Sequence, residues 1–130
     1  METADENIKT QIDNQTIMLF PSSAEVGVTN IATKKYLTGD NQFVYVTRMS
    51  QQTNTIPTLK VQLFTRVEGG VRETCYEMFG DNRFERVENN MIFGKDGQDA
   101  TSPARKPVSQ DDAKELLAVL QTLGPQNEHV

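Results

Sequence analysis

Two successive β-hairpins are predicted over residues 59–87, and they constrain the fold more than any other part of the chain. Residues 59–67 alternate between apolar and polar side chains, the period-two pattern of a half-buried strand, with one face formed by Leu59, Val61, Leu63 and Val67. Gly69 and Gly70 follow, and adjacent glycines adopt the positive φ of a two-residue turn without steric cost. This turn predicts four cross-strand pairs: Val67 with Arg72, Arg66 with Glu73, Leu63 with Tyr76, and Val61 with Met78.

The second hairpin is predicted to turn at Asp81 and Asn82. A two-residue turn there predicts three pairs: Phe79 with Phe84, Glu77 with Arg86, and Tyr76 with Val87. In this register Phe64, Phe79 and Phe84 share one face and Cys75 lies across from Phe64. Arg66 and Arg86 are then expected to form cross-strand ion pairs with Glu73 and Glu77.

A carboxy-terminal helix is predicted from Ser109 to the stop at Gly124 and Pro125. Ser109 followed by Asp112 approximates a capping box. One apolar stripe at helical spacing indicates a helix that packs on a sheet, and it consists of Ala113, Leu116, Leu117, Leu120 and Leu123.

The remaining segments give weaker patterns. Thr3 with Glu6 resembles a capping box, so a short helix is predicted over residues 4–14, followed by a buried strand over residues 16–20. Residues 22–37 fit either helix or strand, and both alternatives stay open. Strands are expected over residues 42–49, with apolar side chains on both faces, and over residues 91–93. The polar residues 51–57 form a candidate functional loop, and residues 94–107 are predicted to be loop.

These elements predict an α+β fold: an antiparallel meander sheet of about five or six strands, with the carboxy-terminal helix packed on it and a short amino-terminal helix. The strand number leaves open a sheet curled into a half-barrel. The 130 residues are expected to form a single domain, 1–130, with about residues 1–5 and 125–130 disordered.

The composition excludes several classes of protein. Eighteen acidic and thirteen basic residues give a net charge of −5, which opposes binding to nucleic acid. Glutamates also interleave with the aromatic residues of the predicted sheet, where they would repel RNA phosphates. The lone Cys75 is typical of a reducing compartment, so a cytoplasmic location is expected. The amino-terminal residues 1–6 are acidic and no apolar run approaches membrane-spanning length, so neither export nor membrane insertion is expected.

No catalytic, metal-binding or cofactor-binding set emerges from the residue types. The single histidine, His129, lies in the polar end of the chain without an orienting partner. Cys75 lacks a histidine to activate it and is interpreted as a packed thiol. Asp96, Gly97 and Asp99 lack the spaced oxygen ligands and closing glutamate of a calcium loop. No cofactor is therefore expected.

Three classes of function remain, and a non-catalytic protein-interaction or assembly domain is favoured. Its expected interface residues are Phe64, Phe79 and Phe84, with a homodimer or another protein as partner. The alternative is a carrier of a small apolar molecule, whose pocket would be lined by Tyr45, Leu63, Tyr76 and Met78. An enzyme is the least favoured class.

Overall fold

One antiparallel sheet carries two helices on the same face. The computed structural model describes residues 2–20, 31–39, 41–49, 55–92 and 104–129. The elements are α1 (Glu6–Leu19), β1 (Ile31–Gly39), β2 (Gln42–Met49), β3 (Pro57–Val67), β4 (Gly70–Phe79), β5 (Phe84–Ile92), β6 (Lys106–Pro107) and α2 (Gln110–Gln121). The described strands follow the order β1-β2-β3-β4-β5-β6 in an open sheet. The predicted α+β meander is confirmed, and the half-barrel is not formed.

The core lies between the two helices and one face of the sheet. Ile8 and Ile12 of α1 and Leu116 and Leu120 of α2 are buried in one apolar cluster. The strand residues of that cluster alternate along their strands, as a half-buried sheet requires, and are Tyr36, Val44, Val46, Leu59, Val61, Tyr76, Met78 and Phe84. We call this side of the sheet the helical face.

Helix α1 is longer than the sequence predicts. Its N-cap is Asp5, whose carboxylate accepts a hydrogen bond from the Ile8 N–H, and the helix continues to Leu19. The predicted strand over residues 16–20 is therefore wrong. Thr16 and Leu19 continue the buried stripe of Ile8 and Ile12 at helical spacing, so packing against the sheet extends the helix.

A partly buried ion pair ties α1 to the sheet. Arg48 of β2 donates from Nη1 to Asp13 Oδ1 at 2.9 Å and to Thr16 Oγ1 at 2.7 Å. The Arg48 side chain is 17% exposed. A guanidinium in such a site needs a carboxylate partner, and α1 provides it.

Helix α2 begins and packs largely as predicted. Ser109 is the N-cap and accepts a hydrogen bond from the Asp112 N–H at 3.1 Å. Ala113, Leu116 and Leu120 are buried, whereas Leu117 is partly buried at the margin of the core. Among the described residues, no helix is long and apolar enough to cross a membrane.

The β3–β4 register differs from the prediction by two residues. Val67 pairs with Gly70, Leu63 with Thr74 and Val61 with Tyr76. Of the two glycines, Gly69 takes a positive φ of 75° and Gly70 does not. Glu68 and Gly69 therefore form the turn, and Gly70 pairs with Val67 in the β3–β4 ladder. A shift of two residues keeps each side chain on its predicted face.

The β4–β5 register differs by one residue, which has a larger effect. Met78 pairs with Phe84, Glu77 with Glu85 and Tyr76 with Arg86. The turn contains one more residue than predicted, because Asn82 takes a left-handed φ of 72° and the Phe79 N–H donates to the Arg83 carbonyl. The shift moves Phe84 to the helical face, opposite to the prediction.

The other predicted segments lie partly outside the described residues. The sequence left residues 22–37 open between helix and strand. Residues 31–39 form strand β1, and residues 21–30 lie outside the described part. Within the predicted connection 51–57, residues 51–54 also lie outside it. Residues 91 and 92 end β5 instead of forming a separate strand, and β6 occupies part of the predicted loop 94–107.

Candidate docking surface

The sheet has a second face on which, within the described ranges, neither helix packs. Strand alternation and the register place residues of five strands there. None of them belongs to the apolar cluster that contains the helices. We call this side the helix-free face, and its principal side chains are Ile31, Lys35, Leu37, Phe43, Tyr45, Thr47, Lys60, Gln62, Phe64, Glu73, Cys75, Glu77, Phe79, Glu85 and Val87.

Three aromatic rings and a lysine form a connected group on β1, β2 and β3. The rings of Tyr45 and Phe64 meet edge to face, with centroids 5.4 Å apart and planes at 77°. Lys35 Nζ lies 4.7 Å from the Phe43 ring centroid and 5.6 Å from that of Tyr45, within cation–π range. We call these four residues the aromatic patch, and each is only partly buried.

Two exposed aliphatic side chains extend the aromatic patch along β1. Ile31 is 53% exposed and Leu37 is 40% exposed. In the register, Leu37 pairs with Phe43 and Phe43 with Phe64, so the apolar surface runs across three strands. Contiguous exposed apolar surface of this kind is typical of association sites.

The β4 and β5 side of the same face is buried and acidic. Glu77 and Glu85 lie directly opposite each other in the register. Arg105, which precedes β6, contacts both carboxylates, with Nη1 2.7 Å from Glu77 Oε1 and 3.6 Å from Glu85 Oε1. This guanidinium offsets the repulsion between the two glutamates, and the hydrogen bond to Glu77 raises the pKa of Arg105.

Cys75 lies beside this acidic group and is not an activated thiol. Burial raises the pKa of Cys75 to about 12, and the carboxylate of Glu77 contributes to the rise. A nucleophilic cysteine needs the opposite shift. The cross-strand neighbours of Cys75 are Gln62 and Val87, not the predicted Phe64.

The structure separates the residues of the predicted interface. Phe64 belongs to the aromatic patch. Phe79 lies on the helix-free face but is only 7% exposed, with the Arg83 guanidinium 4.3 Å from its ring centroid. Phe84 is 5% exposed in the core, and its ring centroid lies 6.3 Å from that of Tyr76. Of these three rings, Phe64 is the one that is partly exposed.

The four residues of the predicted apolar pocket also divide between the two faces. Tyr45 is part of the aromatic patch. Leu63, Tyr76 and Met78 lie on the helical face, in or against the core. An open sheet with these residues on opposite sides does not bring them to one cavity.

The predicted cross-strand ion pairs are wrong, since both registers are shifted. Arg66 lies opposite Val71, and Glu73 accepts hydrogen bonds from Gln62 at 2.8 Å and Asn89 at 3.0 Å. Arg86 lies on the helical face, with Nη2 3.6 Å from Glu88 Oε2 and Nε 4.0 Å from Asp112 Oδ2.

Lys35 and Phe43 are the members of the aromatic patch that sequence reasoning missed. The apolar residues on both faces of the 42–49 strand were a signal for Phe43. No comparable signal was available for Lys35, because its segment could not be assigned to helix or strand. In the described part of the chain, no group of three or more His, Cys, Asp or Glu side chains is placed to hold a metal ion.

Comparison with protein families, with curated protein sequences and with solved structures finds no match to this chain.

Proposed function

We propose that the protein is a non-catalytic interaction and assembly domain that associates through the aromatic patch, and that its partner there is a second copy of the same chain. The observation that carries the proposal is the connected group of Lys35, Phe43, Tyr45 and Phe64 on the helix-free face. Exposed Ile31 and Leu37 enlarge the apolar area that association would remove from water.

The charges around the aromatic patch support a second copy as the partner. Lys35 lies on β1 and Glu73 on β4, three strands across and two residues further along, which is about 16 Å at the usual strand geometry. The three rings of the aromatic patch lie between them. Within the described residues neither side chain is in an ion pair, and Glu73 accepts hydrogen bonds from the amides of Gln62 and Asn89.

A two-fold axis through the aromatic patch would bring Lys35 of one copy toward Glu73 of the other. The contact would occur twice, as a symmetric dimer requires. Aromatic side chains at the centre with charged residues around them are the usual anatomy of a protein interface.

A reducing compartment such as the cytoplasm suits this role, because Cys75 is a free buried thiol. A carrier of small apolar molecules has less support, since its four expected lining residues lie on opposite faces of the sheet.

Charge reversal followed by sedimentation equilibrium tests the proposal. Lys35→Glu and Glu73→Lys should each weaken the dimer at least tenfold, because each places like charges across the interface. The double variant should recover affinity to within about threefold of the unmodified chain. Lys114→Glu, on the exposed surface of α2, is the matched control and should leave the dimer unchanged.

A monomer whose mass is independent of concentration up to the millimolar range would refute the proposal. A dimer that responds to Lys114→Glu as strongly as to Lys35→Glu would contradict the choice of surface.

A further inference from the structure

The carboxy-terminal segment lies along the outer edge of β1. The Leu37 N–H donates to the Asn127 carbonyl at 2.9 Å, and the His129 N–H donates to the Lys35 carbonyl at 2.8 Å. Tyr36 and Glu128 form the antiparallel bridge between these two bonds. Residues 127–129 thus act as a short added strand, where the sequence predicted a disordered end.

Asn127 fixes this segment to the end of α2. Its Oδ1 accepts a hydrogen bond from the Gly124 N–H at 2.9 Å, and its Nδ2 donates to the Thr122 carbonyl at 3.1 Å. The backbone carbonyl of the same residue accepts from Leu37. One side chain therefore closes the helix terminus and presents the following residues to β1.

The charge of β1 selects the kind of strand that this edge accepts. Lys34 and Lys35 are adjacent, and Lys34 Nζ lies 3.8 Å from Glu128 Oε1 of the added strand. Two β1 strands paired antiparallel about Lys35 would place that lysine opposite its own copy, which is unfavourable. An extended segment with a carboxylate near its centre fits instead.

A competing strand would have to replace the contacts of residues 127–129 with β1. The described contacts of these residues with β1 are two backbone hydrogen bonds and one ion pair at 3.8 Å. A partner strand could make the same two backbone bonds, to the Leu37 N–H and the Lys35 carbonyl. Edge strands with outward N–H and carbonyl groups are templates for such pairing unless they are covered.

We propose that the edge of β1 at residues 35–37 is a strand-addition site for an extended acidic segment of a partner protein, and that residues 127–129 occupy the site in competition with that partner. This site uses the backbone edge of the sheet, so it does not depend on the dimer proposed for the helix-free face.

Fluorescence anisotropy with a labelled peptide tests the proposal. The probe carries residues 123–130 of this chain, and a second probe carries Glu128→Lys in the same peptide. His129→Pro in the protein removes the N–H that donates to Lys35, and His129→Ala removes the imidazole but keeps that N–H. The acidic probe should bind the His129→Pro variant at least fivefold more tightly than it binds the His129→Ala variant. The Glu128→Lys probe should bind the His129→Pro variant at least fivefold more weakly than the acidic probe does.

Amide hydrogen exchange at Leu37 provides a second measurement, because its rate reports whether the Leu37 N–H is hydrogen-bonded to a strand at this edge. Exchange at Leu37 should accelerate in His129→Pro and slow again when the acidic probe saturates the protein. Equal binding of the acidic probe to the two variants, or an unprotected Leu37 amide at saturation, would overturn the proposal. Self-association of His129→Pro through this edge would assign the site to a second copy and refute the acidic partner.

Discussion

At the scale of single residues, environment decides chemistry in this protein more than residue type does. Cys75 and Glu77 both lie on the helix-free face, and both are buried. Glu77 has Arg105 as its partner, whereas Cys75 remains a neutral thiol whose pKa is raised to about 12. The residue type alone allowed a nucleophile at Cys75, and the surroundings remove that option.

The Cys75 thiol should make the free energy of unfolding depend on pH in the alkaline range. Its pKa rises from 9.0 in the unfolded chain to about 12 in the folded chain, so above pH 9 the unfolded state releases a proton that the folded state retains. The stability contribution is complete below about pH 9 and is lost as the pH rises toward 12. Urea unfolding of the unmodified chain and of Cys75→Ala at pH 8 and pH 10.5 should show a steeper loss for the unmodified chain. Equal losses would show that the thiol ionises freely in the fold.

A second prediction at this scale concerns the ion pair of Asp13 and Arg48. Asp13→Ala leaves the partly buried Arg48 guanidinium without its carboxylate, so it should lower the free energy of unfolding by about 1 to 3 kcal/mol. Glu6→Ala is the matched control, because Glu6 pairs with Lys9 through a side chain that is 71% exposed. That substitution should cost less than about 1 kcal/mol. Equal costs in denaturant titrations would contradict the anchoring role of Arg48.

At the scale of elements, packing sets the lengths of helices and the register of hairpins. Residues 16–19 belong to helix α1 although their sequence alone predicts a strand. They are helical because Thr16 and Leu19 continue the buried stripe of Ile8 and Ile12 against the sheet. The β4–β5 turn takes one extra residue through the left-handed Asn82, and this places Phe84 in the core. In both cases burial outweighs the local preference.

The loss of unfolding free energy on truncating an α2 leucine should increase with the depth of that leucine in the core. Leu120→Ala removes a fully buried side chain, so it should cost about 2 to 5 kcal/mol of unfolding free energy. Leu117→Ala should cost less, because Leu117 is only partly buried against the core. Chemical denaturation of the two variants under the same conditions measures the difference. A larger loss for Leu117→Ala would mean that the helix is rotated about its axis relative to this structure.

At the scale of the whole molecule, the two faces of the sheet differ in what covers them. The helical face carries the folding core, where Val61 and Val46 are completely buried. The helix-free face carries the aromatic patch and the exposed aliphatic residues of β1. The aromatic patch is therefore expected to tolerate substitution better than the helical face does.

Two substitutions on β3, one on each face of the sheet, should therefore have distinct effects. Val61→Ser removes a buried side chain and buries a hydroxyl, so it should lower the unfolding free energy by more than about 2 kcal/mol. Phe64→Ser should have a smaller effect on the monomer and should weaken self-association, because the ring lies in the aromatic patch. Thermal unfolding at low concentration and sedimentation velocity separate the two effects. A Phe64→Ser monomer as unstable as Val61→Ser would mean that this ring belongs to the folding core.

The sequence alone determined those features that depend on neighbours along the chain. Alternation predicted the β3 strand, and the cap at Ser109 with the leucine stripe predicted α2. Alternation also placed Phe64 on the face opposite Leu59 and Val61, since a two-residue change in register does not alter the face.

Tertiary structure decided which face Phe84 occupies, where α1 ends, and what lies against the edge of β1. A one-residue change in the length of a turn moves every side chain of the next strand to the opposite face. Burial of Phe84 in the core on the helical face favours the longer turn. Lys35 joined Phe43, Tyr45 and Phe64 only when β1 paired with β2. The candidate surface is built from three strands, so no local pattern within one of them could specify it.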